Sequence, residues 1–574
     1  MSALDSFAVS GAAVRAAERP LLDAGHGDEL MRRAAWALAG HVLDVLRERT
    51  GRVAGTVVAA LVGSGNNGGD ALWALAFLRR RGVACTAVPT SRDEHGTPRL
   101  HAAGAAALRA AGGRFADALP ADADVVVDGI LGTGATGGVV LPDQARAVPA
   151  GAAVVACDVP TGVDADTGGV AGEVLSASST VTFGALKNGL LVGPGAAASG
   201  DVHVVDIGLG PHLPTEPRER LELMDAPQAA ALVPAPAADA HKYRRGLACV
   251  AAGSPRYPGA ALLCAGGALA AGAGMVHLAA PDAVRTACLT VWPEVVGGTE
   301  PSAAERTHAW VVGPGLDTDA AAGSRLDAVL EAAVQRRGGA VVLDASALEL
   351  VTAEDLHRLR AAGVQAVLTP HAGEWARLGS RLGRQTEATC EAEASGRRRG
   401  PGQDLRDFAE ATGAVVLLKG PQTLVASPSG ALWCVREGGP ELAVAGSGDV
   451  LSGILGAVLA AAVARAERAA EASSGPSRQG ASGPDTAPVD GDRAAALAAA
   501  GAWLHAAGAA GLQQQTLVRA SQLHEAVAAL LGRMWRPALT ARRTGPPAAG
   551  LFESTSTRID TAPQRPGRPP ALRP

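Results

Sequence analysis

The chain has 574 residues, a net charge of −5 and seven cysteines, with a mean hydropathy of +0.15. That length predicts two domains with connecting segments. Alanine and glycine carry most of the apolar fraction and aromatics make up only 3%, so the hydropathy does not mark a membrane protein. With no basic stripe, nucleic acid is not expected as a partner. The odd, scattered cysteines form no CxxC pair, which argues for a reducing compartment and against a disulfide framework or a zinc site. "MSALDSFAVSGAAVRAAERP" lacks a basic start followed by an apolar core, so no signal peptide, no membrane association and a cytoplasmic location are expected.

Two helical segments open the chain, the second being "DELMRRAAWALAGHVLDVLRER". From about Thr56 to Ile207, apolar runs alternate with helical segments: "TVVAALV", "VACTAV", "DVVVDGIL", "AAVVACDV", "STVTFGA" and "VHVVDIG". Strands separated by helices predict a parallel sheet covered on both faces. Ligands of such sheets bind beyond the carboxyl ends of the strands. The first of these ends is "GSGNNGGD" (63–70). Its glycines would let backbone approach a phosphate at a helix N-terminus. The oxygens of Asn66, Asn67 and Asp70 suit a hard cation or ribose hydroxyls. A capped turn, with Asp70 as the helix cap, is the alternative. "DGILGTGATGG" (128–138) and "CDVPTGVDADTG" (157–168) repeat the pattern of an aspartate at a strand end beside glycines and a hydroxyl. Three such loops would converge on one pocket. Only three lysines stand against 48 arginines, so Lys187, Lys242 and Lys419 mark positions that need a compact ammonium.

"GSGNNGGD", "DGILGTG", "CDVPTGVDADTG" and "VTFGALKNG" together resemble the NAD(P)H-hydrate epimerase domain, the YjeF N-terminal family, over roughly residues 5–215. The resemblance implies a Rossmann-like α/β/α fold. It implies a potassium ion held by Asn67, Asp128 and Thr161. It also implies nucleotide contacts from Asn66, Asn67, Gly68, Gly69, Asp70, Gly132, Thr133, Gly134, Ala135, Thr136, Gly137, Gly138 and Asp158. Asp158, a carboxylate at a strand end beside a cation, is the candidate acid/base. For Lys187, a phosphate contact and a structural ion pair are both open.

"GPHLPTEPRERLELMDAPQAAALVPAPAADAHKY" is rich in proline and alanine and poor in strand pattern, and is taken as the connection. A second alternating series follows: "GLACVAAG", "MVHLAAP", "AWVVGPG", "AVVLDA", "VQAVLTP", "AVVLLKG" and "ALWCVREG". The longest uncharged stretch, 258–281, reads as a buried helix followed by a strand rather than a bilayer span. "ELAVAGSGDVLSGILGAVLAAA" puts glycines at the start of a long helix, where free amides and the helix dipole make an anion hole. Asp449 beside it suits taking a proton from a hydroxyl as phosphate arrives. His371 and Glu374 of "LTPHAGEWARL" and Lys419 and Thr423 of "LLKGPQTLV" lie at further strand ends. His371 is read as a ligand contact, with a structural role as the alternative.

With "HKYRRGLACVAAGSPRYPGAALLCAGGALAAGAGMV", "VVGPGL" and "TPHAGE", this half resembles the ADP- or ATP-dependent NAD(P)H-hydrate dehydratase, the YjeF C-terminal family, over about 228–535. That implies a ribokinase-like α/β/α fold with Asp449 catalytic. Substrate contacts are implied at Ala260, Gly315, His371 and Asp449. Nucleotide contacts are implied at Lys419, Gly420, Pro421, Gln422, Thr423 and Gly448, with magnesium accompanying ADP or ATP. The expected organisation is an epimerase domain at 1–222, a linker at 223–240 and a dehydratase domain at 228–535. Disordered insertions are expected at 388–403 and 471–492, with a disordered tail at 543–574. Each half is expected to fold alone. The implied activity is repair of hydrated nicotinamide nucleotides: epimerisation of the R and S hydrates of NADH and NADPH, and dehydration of the S form with ADP or ATP. A homo-oligomer is expected. The rival reading is a ribokinase-like small-molecule kinase fused to a non-catalytic YjeF N-terminal interaction domain.

Overall fold

The structure, a computed structural model, describes residue 4 and residues 6–135, 137–301, 306–382, 399–473 and 487–544. Its smaller sheet has seven strands, all parallel, in the order Arg114–Phe115, Ala84–Pro89, Val57–Val62, Val125–Gly129, Ala153–Cys157, Ser179–Phe183 and Asp201–Val205. The central strands are buried along their whole length, as near-continuous apolar runs covered on both faces require. Helix Gly27–Thr50 lays Leu30, Ala34, Leu38, Val42 and Leu46 against this sheet at helical spacing. Asp28 and Glu29 in its first turn and Arg47 and Arg49 in its last complement its dipole, and Gly51, at φ 71°, ends it in the left-handed conformation.

The larger sheet has twelve strands. Val296–Gly298, Met275–Ala279, Leu247–Ala251, Ala309–Val312, Ala340–Leu343, Gln365–Leu368 and Val415–Leu418 run parallel, and Thr423–Ala426 and Leu432–Val435 follow as antiparallel strands. The sheet then crosses into the first half through Arg220–Leu223, Phe7–Val9 and Leu186–Lys187. Among the described residues, two helices are long and apolar enough to cross a membrane, Ser447–Glu471 and Gly491–Gln513, and both lie mostly buried in the protein core. The 258–281 stretch is helix Pro258–Ala270 followed by strand Met275–Ala279, as the sequence predicts.

Three expectations are corrected. The connection is not strand-poor: Arg220–Leu223 pairs with both halves, and helix Ala226–Leu232 carries an Asp225–Gln228 capping box inside the segment taken as a linker. Residues 399–403 of the first insertion are ordered, because the Arg399 guanidinium pairs with Asp404 and Asp407 and a helix starts at Pro401. The second insertion overlaps helix at both ends, 471–473 and 491–492, and the tail begins inside helix Ala520–Thr544. Residues 388–398, 474–486 and 545–574 of these segments lie outside the described residues.

Candidate functional sites

In the first half, strand Ala153–Cys157 ends in Asp158, a non-glycine residue at φ 68°. Such backbone costs of order 1–3 kcal/mol and persists only where the surroundings fix it. Here the Asp158 amide donates to the Val181 carbonyl (2.8 Å), and three donors converge on Oδ1. They are Lys187 Nζ (2.6 Å), Thr182 Oγ1 (3.2 Å) and the Phe183 amide (3.3 Å). The Lys187 side chain is only 1% exposed, and its ammonium also donates to Thr182 Oγ1 (2.9 Å) and the Phe183 carbonyl (2.7 Å). Lys187 therefore forms the ion pair that the sequence left open against a phosphate contact.

Asp70 is not a helix cap. Helix Asn66–Arg79 begins after Gly65, and Asp70 is buried in its first turns with Oδ1 lacking any partner. Burial, then the charges of Asp158 and Glu18, push its carboxyl well above the ordinary range, which favours the protonated form. Burial raises Glu18 as well, opposed by the Lys187 charge. One ammonium thus faces a set of carboxyls: Asp158 is ion-paired with it, whereas Asp70 Oδ1 has no partner. Gly63 and Gly68 serve packing: a Cβ would meet Ile130 O at 2.0 Å and Gly63 O at 2.1 Å, respectively.

Asn67, Asp128 and Thr161 gather around the backbone of 130–132. Asp128 Oδ1 accepts from Thr161 Oγ1 (2.7 Å) and the Ile130 amide (3.2 Å), and Oδ2 accepts from the Thr161 amide (2.7 Å). Thr161 Oγ1 accepts from the Leu131 amide (3.2 Å), and Asn67 Nδ2 donates to the Leu131 carbonyl (2.8 Å). Asp128 is fully buried with only neutral hydrogen-bond partners, and burial pushes its carboxyl up to about 6 despite them. An all-oxygen donor set around an uncompensated buried carboxylate fits a hard monovalent cation. Beyond it, Arg15 donates to the Thr133 carbonyl (2.6 Å) and a turn closes from Ala135 N to Gly132 O (3.0 Å). Gly134, Gly137 and Gly138 continue this loop, and Thr136 lies outside the described residues.

In the second half the organising residue is Asp344, at the end of strand Ala340–Leu343. Its Oδ1 accepts from Lys419 Nζ (2.8 Å) and its Oδ2 from Ser452 Oγ (2.7 Å). Burial alone would raise this carboxyl, but the Lys419 charge and hydrogen bonds from Lys419, Ser452 and Thr369 hold it below its ordinary value. Asp449, in the first turn of helix Ser447–Ser473, responds oppositely. Burial and then the negative charge of Asp344 raise it to about 6, against the pull of Lys419. Asp344 therefore stays ionised, while Asp449 sits where a base works near neutrality. Gly448 brings the helix start against Lys419, since a Cβ there would lie 3.5 Å from Nζ. Buried His505, lowered to about 4 chiefly by burial, contacts the Ser447 hydroxyl (3.3 Å).

The other expected residues occupy the same sheet edge. Gly315, at φ 65°, packs on Ala260, to which a Cβ would approach within 2.5 Å. The exposed His371 ring caps helix Ala372–Arg381, its Nδ1 accepting from the Gly373 amide (3.0 Å). Lys419 pairs with Asp344 at the base site, and Gly420, Pro421 and Gln422 form the turn into strand Thr423–Ala426 beside it. Asp344, Ser452, Thr369, His505, Thr182 and Glu18 were not singled out from sequence. Asp344 carried the needed signal, an aspartate ending the apolar run "AVVLDA".

Two α/β/α halves, each with a buried lysine–carboxylate constellation at the carboxyl edge of its parallel strands, define a two-site α/β enzyme. Residues 248–530 match the family model described as NAD(P)H-hydrate dehydratase, and residues 27–189 match the YjeF-related protein N-terminus. The chain is 43% identical over 467 residues to the bifunctional NAD(P)H-hydrate repair enzyme Nnr of Mycobacterium leprae (strain TN), covering 80% of this chain and 90% of that one. Identity to the enzyme of the same name from Mycobacterium tuberculosis (strain ATCC 25618 / H37Rv) is 41%, covering 79% and 89%. A crystal structure of ADP/ATP-dependent NAD(P)H-hydrate dehydratase from Bacillus subtilis covers 54% of this chain and 97% of its own, at 24% identity and a TM-score of 0.40. The chain belongs to the bifunctional NAD(P)H-hydrate repair enzymes.

Proposed function

We propose that residues 1–222 interconvert the R and S hydrates of NADH and NADPH and that residues 228–535 dehydrate the S form with ADP or ATP. One observation carries this division: each half has its own carboxylate–lysine site, Asp158 with Lys187 and Asp449 with Asp344 and Lys419. In the epimerase, Asp158 takes the hydroxyl proton of the hydrate as the ring C–N bond opens to an aldehyde, and the protonated Asp70 carboxyl delivers a proton to the released nitrogen. Reversal of both transfers closes the ring on the other face of the carbonyl. Loops 66–70 and 132–138 hold the nucleotide. Asn67, Asp128 and Thr161 would hold potassium, whose charge offsets the buried Asp128.

In the dehydratase, Asp449 takes the proton from the hydrate hydroxyl as its oxygen bonds to the terminal phosphorus of the nucleotide. The bond from that phosphorus to the bridging oxygen breaks, releasing AMP from ADP, or ADP from ATP. The phosphorylated oxygen then departs as phosphate with the electrons of its ring C–O bond. Loss of a ring proton forms the double bond and restores NADH or NADPH. Ala260 and Gly315 form the substrate wall, and Lys419, the 420–423 turn and Gly448 receive phosphate. Magnesium arrives with the nucleotide as part of that substrate. The test is hydrated NADH with ADP and magnesium, following the dihydropyridine absorbance. Recovery of that band supports the reading, and a stable phosphorylated hydrate in its place would indicate a kinase.

A further inference from the structure

Beyond the opposite edge of the large sheet lies a cavity of about 440 Å³. It opens where Arg244 and Arg245 lead into strand Leu247–Ala251 and where helix Pro258–Ala270 ends. Arg465 and Arg468 reach it from the far part of helix Ser447–Ser473, whose first turn carries Asp449. Nineteen residues of helix separate Asp449 from Arg468, about 28 Å at 1.5 Å per residue. The cavity is therefore separate from the dehydratase site.

Among the described residues, four guanidinium groups line it and no carboxylate does; the remaining walls are alanine, proline, glycine, valine and the indole of Trp535. Arg244 is paired with Asp239 (2.8 Å). Arg245 donates from Nη2 to the Gly272 carbonyl (2.9 Å), but its buried Nε has no acceptor. Among the described residues Arg468 has no ion-pair partner; nearby Glu467 is taken by Arg336. Arg465 donates to the Leu232 carbonyl (3.1 Å). Trp535 is fixed by its Nε1 hydrogen bond to the Val233 carbonyl (2.9 Å) and by its ring edge against Gly272. A cavity lined by these arginines, with a fixed aromatic ring and small apolar walls, matches a ligand that combines phosphate with a flat base. Its volume is that of an ordinary small-molecule site.

We propose that this cavity is a second nucleoside-phosphate site, distinct from the one that feeds the dehydratase reaction. Arg245 and Arg468 bind the phosphate, and the base lies against Trp535 and the 233–237 segment. The test is photolabelling of the full chain with 8-azido-ADP, followed by peptide mapping. Label is expected on segment 233–245, on 461–469 or at Trp535, in addition to any at the catalytic edge. Arg468→Glu should cut that label about tenfold or more, as loss of a charge-assisted phosphate contact requires. Arg468→Gln, a milder change at a partly exposed position, should give an intermediate loss with an unchanged melting temperature. Label confined to the catalytic edge would overturn the proposal, as would cavity label that neither variant reduces.

Discussion

At the residue scale, the second site depends on one carboxylate setting the proton affinity of another. Asp449→Asn should lower dehydration by at least about 10²-fold, the lower end for losing a general base, while epimerisation persists. The raised value of Asp449, about 6, arises first from burial and next from ionised Asp344. Below that pH the base is protonated and dehydration should fall. Asp344→Asn removes the negative neighbour, so Asp449 ionises more readily and the acid limb of the rate profile should move to lower pH. An unmoved limb in stopped-flow pH profiles would contradict the pairing. In the first half, Lys187→Met would strand Asp158 in a buried site; breaking such a pair costs about 3–5 kcal/mol, readable as a lowered midpoint in denaturant unfolding. Asp128→Ala should weaken epimerisation without altering dehydration. A thallium anomalous map should place an ion among Asn67, Asp128 and Thr161 in the wild type but not in that variant.

Several of these residues were legible from sequence for a compositional reason. In a chain that defaults to arginine, two of the three lysines, Lys187 and Lys419, form the site ion pairs, whereas Lys242 lies on the surface over the Tyr243 ring (5.1 Å). Aspartates ending apolar strands marked Asp128 and Asp158, and the same rule applied to "AVVLDA" would have marked Asp344. Glu18, Ser452 and His505 were not legible. Each sits on a helix whose local pattern does not reveal which distant carboxylate or hydroxyl it faces.

At the element scale, the alternation of apolar runs and helical segments revealed the parallel strands, because strands buried on both faces must be apolar throughout. Strand Arg220–Leu223 was missed. Only alternate residues are buried in "RLEL", and its partners Phe7–Val9 and Leu432–Val435 lie some two hundred residues away on either side. The Arg406 guanidinium ties the junction together, donating to the Arg220 carbonyl of one half and the Gly430 carbonyl (2.9 Å) of the other. Burial lowers Arg406 to about 10, still well above neutral pH, so the clamp stays charged. Arg406→Met should destabilise the full chain by about 1.5–3 kcal/mol, the range for hydrogen bonds from a charged donor, with less effect on either catalytic constant. Denaturant unfolding checks this, and an unchanged midpoint would show that the junction contributes nothing.

At the scale of the whole molecule, the expectation that each half folds alone meets a shared core. Val163, Leu186, Leu190 and Leu221 of the first half belong to the same buried cluster as Leu405, Phe408 and Leu432 of the second. A fragment ending near Ala226 should therefore melt below the full chain, because strand Arg220–Leu223 loses Leu432–Val435 and that apolar face meets water. The chemistry remains divisible, since the two sites share no residue. The most direct test uses the full chain with Asp158→Asn, an equilibrated mixture of both NADH hydrates, ADP and magnesium, over times short against spontaneous epimerisation. Wild type should consume both epimers, and the variant should consume the S epimer at an undiminished rate and leave the R epimer behind. Consumption of both epimers by Asp158→Asn at the wild-type rate would contradict the assignment of epimerisation to the first half.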